Sequence, residues 1–365
     1  MEASARVNAQ DLTAFCITAM RKSGVNEEDA RLTAEVLITT DMMGTFTHGS
    51  RQLRGLMQNV RSGRLNAAAH EEVQADGPAW AIVNAHHAMP PAVSYRCMEL
   101  AMRKAQACGI AYVGVQHSSH FGAAGYYANQ AARQDMIGLA MCNVDPGVTA
   151  PGSCGKVMGT NPIAYGAPAG DERPVSLDIA TSAVAASKLY AAQALGKSIP
   201  DTWMVDDDGL PTTDPTGYPA RGALLPMAGH KGYGLAVLVE ILTAVLSGAA
   251  IMSQVKSWMA DTPEPCDEGH AFIAIDVAQM MPLDVFKSRM DGMIREIKSA
   301  PLAKNAERIY LPGEIEWDKY DAALAAGIEL PPNVVSSLRG LAEDIGLDTA
   351  ALFQVIGGRY DSPTF

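Results

Sequence analysis

No run of about 18 uncharged apolar residues occurs in this sequence; the nearest, Gly234 to Ile251, is interrupted by Glu240. A membrane-spanning helix is therefore not expected. The N-terminal stretch MEASARVNAQDLTAF has no basic segment leading into an apolar run, so no secretory signal is read and a cytoplasmic protein is expected. The six cysteines (Cys16, Cys97, Cys108, Cys142, Cys154 and Cys266) form no CxxC pair, and reduced structural thiols are expected. Positive charge is in deficit: the net charge is −12, spread along the chain rather than gathered in a tail. That argues against nucleic acid or an anionic membrane as the main partner and makes a small ligand the default.

Several catalytic signatures are also missing. No G-x-G-x-x-G follows a predicted strand and no G-x-x-x-x-G-K-[ST] occurs, so neither common phosphate cradle is present. Acyl transfer fits poorly, because there is no G-x-S-x-G and no cysteine beside a histidine. His117 and His120 stand three apart, but with Asp145 they make a thin ligand set, and no HExxH spacing supplies a third ligand. No metal is expected.

What is present reads as an α/β chain long enough for two domains or one domain with lobes. Asn8 and Asn26 are placed to cap two helices, the first carrying Leu12, Phe15, Cys16, Ala19 and Met20 on one face. A third helix ends at Gly63, so residues 1–65 read as an all-helical lobe with a polar loop at 44–50. Strands are predicted at 80–83, 110–115, 136–142, 163–167, 175–179 and 271–275, with helices at 92–108 and 124–134. The apolar run 234–248 predicts a buried helix, and further helices follow Pro282 and near 317–326 and 332–345. The last two are positioned to fold back on the N-terminal lobe.

Between Gln116 and Pro168 short polar loops interrupt apolar runs, and His117-Ser-Ser-His120 precedes a glycine. Such a cluster suits a strand end that presents side chains to a ligand. His48 and His120 are the acid–base candidates, each in a polar loop next to or near a glycine. His86 and His87 read as surface or packing. GHKGYG (229–234) opens a helix whose free amides, with Lys231, suit an anion; a plain turn is the alternative. In GTNPIA (159–164), Asn161 before Pro162 is expected to be extended. In LDIATSAVAASK (177–188), Thr181 and Ser182 are placed to cap the following helix or to receive a phosphate.

Taken together and in order, THG (47–49), SSHFGAAGYYA (118–128), GTNPIAYGAP (159–168), LDIATSAVA (177–185), GLPTTDP (209–215), LLPMAGHKGYGLAVLVEIL (224–242) and LPGE (311–314) resemble the type 2 malate/L-lactate dehydrogenases. The resemblance spans nearly the whole chain. It implies a mixed α/β, non-Rossmann fold: a helical lobe from both chain ends (1–75 with 295–365) plus an α/β domain (76–294) for cofactor and substrate. It also implies a homodimer that transfers hydride between NAD or NADP and C2 of a small 2-hydroxy or 2-oxo acid, a malate-like dicarboxylate being the first expectation. By position, His48 and His120 correspond to the family's proposed acid–base histidines, and Asn143 falls in the loop flanking the substrate. The cofactor segments correspond to Asp178, Ile179, Ala180, Thr181 and Ser182, to His230 and Lys231, and to Pro312, Gly313 and Glu314.

One position departs from the family's pattern. Many members carry an arginine four residues after the loop histidine, where it can clamp a carboxylate; here it is Gln52. Arg51 or Arg54 is expected to take over that role, or the substrate group bound there differs. Two alternatives keep the fold: an NADPH-dependent reductase of cyclic imines such as piperideine- or pyrroline-2-carboxylate, and a ligand-binding protein without turnover.

Overall fold

The computed structural model describes residues 3–260, 262–349 and 352–355. In chain order its elements are β1 (Ala5–Val7), α1 (Ala9–Lys22), α2 (Glu27–Met42), α3 (Leu53–Arg61), β2 (Glu72–Gly77), β3 (Trp80–Asn84), α4 (Pro90–Cys108), β4 (Ile110–Ser118), α5 (Ala124–Ala132), β5 (Met136–Cys142), β6 (Ile163–Ala167) and β7 (Val175–Ile179). They continue with α6 (Ala186–Ala194), β8 (Met204–Val205), β9 (Ala223–Leu224), α7 (His230–Glu240), β10 (Glu268–Asp276), α8 (Leu283–Lys298), α9 (Glu314–Ala326), β11 (Ile328–Leu330), α10 (Pro332–Ile345) and β12 (Gln354–Val355). No helix among the described residues is long and apolar enough to cross a membrane.

The first two helices start where their caps dictate. Asn8 Oδ1 accepts from the Gln10 and Asp11 amides, and Asn26 Oδ1 accepts from the Asp29 amide at 2.9 Å. Leu12, Cys16, Ala19 and Met20 of α1 then join one core with Leu37, Leu53, Leu338 and Leu341, so helices from both ends of the chain pack together. This lobe is not all helix, however. β11, β1 and β12 form a three-stranded antiparallel sheet, in which Ala5 pairs with Leu330. With three residues in β1, alternation is too brief to be read from sequence.

The main sheet has seven strands in the order β2-β3-β4-β10-β5-β6-β7, and only the β3–β4 pair is parallel. A dinucleotide fingerprint belongs to a parallel βαβ unit, so its absence agrees with this topology. Two glycines decide how closely α5 approaches. Gly138 and Gly166 face each other across β5 and β6, and a Cβ on either would stand 2.6 or 2.7 Å from the Ala128 carbonyl oxygen. With no side chain at either position, the α5 backbone lies directly on the sheet. Its N-terminus is thereby fixed beside the loop that carries His120.

α7 differs from the expected buried helix. It runs from His230 to Glu240 and continues to Val245 through a wider, π-type turn, but only one face is buried, by Ala236, Val239, Thr243 and Ala244. Leu235, Leu238, Ile241, Val245 and Leu246 form a solvent-facing stripe. Hydropathy registers an apolar helix without telling a face that packs on the core from one that faces solvent.

Candidate active site

His48 lies in the loop between α2 and α3, and Asp41 anchors that loop from inside. Asp41 is buried, Oδ2 accepts from the Ser50 amide at 3.0 Å, and Oδ1 has no partner. Burial pushes its carboxyl up to about 7, partly offset by the bonds from Ser50. The His48 amide donates to the Thr45 carbonyl, and Nδ1 lies 2.9 Å from the Thr47 hydroxyl.

His120 follows β4, and the loop after it turns at Gly122 (φ 88), next to the His48 carbonyl. The two loops, more than 70 residues apart in the chain, bring the His48 and His120 rings to 5.3 Å between centroids. Each ring is half-buried. Burial and then the Arg51 charge lower the His48 pKa to about 4. His120 is held well below the ordinary histidine value by burial, then by His48 and His270. Both are therefore neutral at pH 7 in the free protein. The Gly122 amide donates to His120 Nδ1 at 3.3 Å, which assigns the proton of neutral His120 to Nε2.

A further wall comes from residues the sequence did not single out. The Trp258 ring lies 4.8 Å from His120. His270 is fully buried behind Phe121 at 4.4 Å, with Nδ1 3.2 Å from Ser94 Oγ. Glu268 is fully buried; Oε1 accepts from Cys266 Sγ and Oε2 has no partner. Its carboxyl is pushed up to about 8 by burial, with the Cys266 bond opposing and Asp145 adding to the rise. Nothing local in the sequence marks these groups, since each acts through contacts made by distant segments.

The remaining candidates fall into distinct settings. Arg54 is held by Asp344 of α10 through Nε (2.9 Å) and Nη2 (3.3 Å). Arg51 is exposed, and its carbonyl accepts from Ser337 Oγ. Gln52 donates to the Thr47 carbonyl, within the His48 loop. Asn143 is buried with both ends of its amide occupied: Nδ2 donates to Glu240 Oε1 and the Ala250 carbonyl, and Oδ1 accepts from the Gly269 amide at 2.7 Å. His117 turns to Asn84 Oδ1 at 3.1 Å and, with His86, His87, Asn66 and Asn84, lines a separate cavity of about 360 Å³.

Three backbone segments are joined to one another. The Met227 amide donates to the Thr181 carbonyl at 2.8 Å, and Gly232 is packed against both Met227 and Thr181, which joins 178–182 to the start of α7. The Ser176 amide donates to the Pro312 carbonyl at 3.1 Å, and Gly313 (φ 85) presses on Ser176, bringing in 312–314. Glu314 itself accepts from the Leu311 amide and from Lys298. Asp178 reaches solvent from a crowded position; burial pushes its carboxyl up to about 6, although the Gly125 amide donates to Oδ2 at 2.7 Å.

Two local expectations are overturned. Thr181 and Ser182 cap no helix: Thr181 Oγ1 donates to the Thr160 and Asn161 carbonyls, Ser182 Oγ donates to the Val184 carbonyl, and α6 begins later, after Ala185. Asn161 is not extended but has φ 31. Its amide donates to the Ala236 carbonyl and Glu240 Oε2, and Oδ1 accepts from the Val144 amide. Those three bonds outweigh the usual preference before proline.

Two histidine rings from distant loops, both held toward the neutral form by burial, thus stand together on a mostly antiparallel α/β scaffold. A sequence model described as malate/L-lactate dehydrogenase matches residues 7–339. The malate dehydrogenase of Pyrococcus horikoshii is 36% identical over 350 residues, covering 94% of this chain and 96% of that one. The sulfolactate dehydrogenase structure from Methanocaldococcus jannaschii superposes with a TM-score of 0.88 at 34% identity, covering 95% and 99%. The delta1-piperideine-2-carboxylate reductase structure from Pseudomonas syringae gives 0.82 at 28% identity, covering 92% and 99%. The chain belongs to the malate/L-lactate dehydrogenase family and is a nicotinamide-dependent 2-hydroxy acid oxidoreductase.

Proposed function

We propose that this protein transfers a hydride between NAD or NADP and C2 of a small 2-hydroxy or 2-oxo acid, a malate-like dicarboxylate being the first candidate. The observation that carries the acid–base assignment is the approach of the His48 and His120 rings to 5.3 Å from separate parts of the fold. Bound nicotinamide supplies the hydride; the chain supplies position, hydrogen bonds and the proton.

His120, with its proton on Nε2, donates to the C2 oxygen where negative charge develops. His48 carries the proton. Its Nδ1 faces the Thr47 hydroxyl, which can donate to a bare nitrogen or accept from a protonated one. Acid–base assistance of this kind contributes roughly 10²–10⁴-fold. Because Arg54 is committed to Asp344, the substrate carboxylate falls to Arg51, whose charge already acts on His48. Asn143 orders the loop beside the substrate through Glu240 and Gly269.

The cofactor lies along Asp178–Ser182, His230–Lys231 and Pro312–Glu314. The first turn of α7 fits a phosphate: Gly229 (φ 64) precedes it, no side chain caps it, and His230 and Lys231 are exposed. The protein is a cytoplasmic homodimer. The Leu235–Leu246 stripe supports the dimer, since an apolar face of that length seldom stays in water. The lobe from both chain ends and the intervening α/β domain are its two structural units.

The likeness to the Pseudomonas syringae enzyme keeps one second reading open, reduction of a cyclic 2-imino acid. A panel of malate, lactate, sulfolactate, oxaloacetate and piperideine-2-carboxylate, each tested with both cofactors by nicotinamide absorbance, decides between the two. Turnover of a hydroxy or oxo acid supports the proposal, turnover of the imine alone supports the second reading, and silence across the panel refutes both.

A further inference from the structure

Residues 256–260 and 262–264 have no helix or strand, yet they are tied down at several points. Arg64, just beyond α3, is 4% exposed. Its Nε donates to the Glu264 carbonyl (2.9 Å), Nη2 to the Ser257 carbonyl (2.7 Å), and Nη1 to the carbonyls of Ala260 (2.7 Å) and Trp258 (3.1 Å). Nη1 also meets Asn59 Oδ1 at 3.1 Å, while Asn59 Nδ2 makes a second bond to the Trp258 carbonyl at 3.0 Å. A planar guanidinium can hold four carbonyls in one arrangement; a lysine ammonium has three donors and no fixed plane.

The tied segment places one large ring. The Trp258 indole lies 4.8 Å from His120 with a 36° interplanar angle, and its other side rests on α3 at Gly55, where a Cβ would stand 2.7 Å from the ring. A glycine inside a helix costs about 1 kcal/mol relative to alanine, and here it gives the indole its seat. Trp258 stays half-exposed, with its remaining surface not covered by Gly55.

We propose that Arg64 is a positioning residue, and that the tryptophan wall it fixes against His120 determines which substrate side chains the cleft accepts. The inference rests on His120 facing the substrate. A rigid indole beside the C2-binding group limits the room beyond C3. Short 2-oxo acids are accepted, and those with long or aromatic side chains are excluded.

The test is a selectivity ratio: kcat/KM for 2-oxo-4-phenylbutanoate divided by kcat/KM for 2-oxobutanoate. In Trp258→Ala the ratio rises by about tenfold or more, the scale expected when an apolar wall of a pocket is removed. Trp258→Phe raises it less. Arg64→Ala raises it as Trp258→Ala does, mainly through KM for the bulky acid, and Arg64→Lys restores only part of the wild-type selectivity. Trp258 emission, taken as the difference between wild type and Trp258→Phe, shifts to the red when Arg64 is removed.

A ratio within twofold of wild type in Trp258→Ala overturns the wall. A changed ratio in Trp258→Ala with an unchanged one in Arg64→Ala, and unmoved emission, overturns the clamp. Should Arg64→Ala fail to fold, Arg64→Lys and Asn59→Ala give the same decision. If wild type turns over no 2-oxo acid, the reading of the site fails instead, while the emission shift still decides whether Arg64 holds the segment.

Discussion

Replacing Asp41 by asparagine tests whether the loop that carries His48 rests on a protonated carboxyl. The side chain is buried, one oxygen holds the Ser50 amide, the other has no partner, and a Cβ on Gly49 would stand 1.9 Å from that free oxygen. The fold therefore offers the ionised form little solvation and little room to move. With the carboxyl raised from 3.8 to about 7, the native protein holds a proton that the unfolded chain has already released. Stability from this group is complete below about pH 4 and falls as pH rises through about 7. At about 1.4 kcal/mol per pH unit, the loss is on the order of 4 kcal/mol.

Asp41→Asn keeps an acceptor for Ser50 and cannot ionise; its unpaired amide adds a cost that does not vary with pH. Urea unfolding of wild type and Asp41→Asn at fixed protein concentration, from about pH 4 to pH 8, should show their difference moving steadily in favour of the variant. The neutral-pH gain should approach the estimated loss. A difference that stays constant across the range would falsify the protonated anchor and mean that Asp41 is ionised in the fold.

Other expectations concern the site and the assembly. His120→Ala should lower turnover by roughly 10²–10³-fold, the scale for losing one donor to a developing oxyanion, with cofactor affinity unchanged by fluorescence titration; equal loss of both would make His120 structural. If His48 carries the proton with a pKa of about 4, kcat/KM for 2-oxo acid reduction should climb as pH falls toward that value. The oxidation rate should hold level above it, and an inflection near the ordinary histidine value in both directions would remove His48 from this role. Val245→Asp places a charge on the most exposed part of the α7 stripe and should convert a dimer to monomers by sedimentation; an unchanged mass would show that this face is not the interface.

The fold was readable where local signals agreed. Asn8 and Asn26 stand at real helix starts, and the short apolar runs Met136–Cys142 and Ile163–Ala167 are strands with those bounds. β2 escaped because EVQADG is polar and largely exposed at a sheet edge, with no buried face to register. Asn161 was misread because the rule for residues before proline sees only the neighbour, while Glu240 and Ala236 hold the side chain. Within the site, glycine-flanked polar loops drew attention to His48 and His120. Trp258 and Arg64 gave no such sign, for the bonds joining them to each other and to His120 span up to some 200 residues.

The position of β10 orders events during synthesis. It fills the gap between β4 and β5, pairing with both along most of its length, although it follows β5 by more than 120 residues. Until Asp276 has left the ribosome, the two halves of the sheet lack the strand that joins them, and Asn143 lacks its bond to the Gly269 amide. Such late, long-range pairing is slow and exposes strand edges. Stalled chains ending before Glu268 should accordingly bind hydrophobic dyes and be protease-sensitive, and the cleft should assemble only when this strand docks.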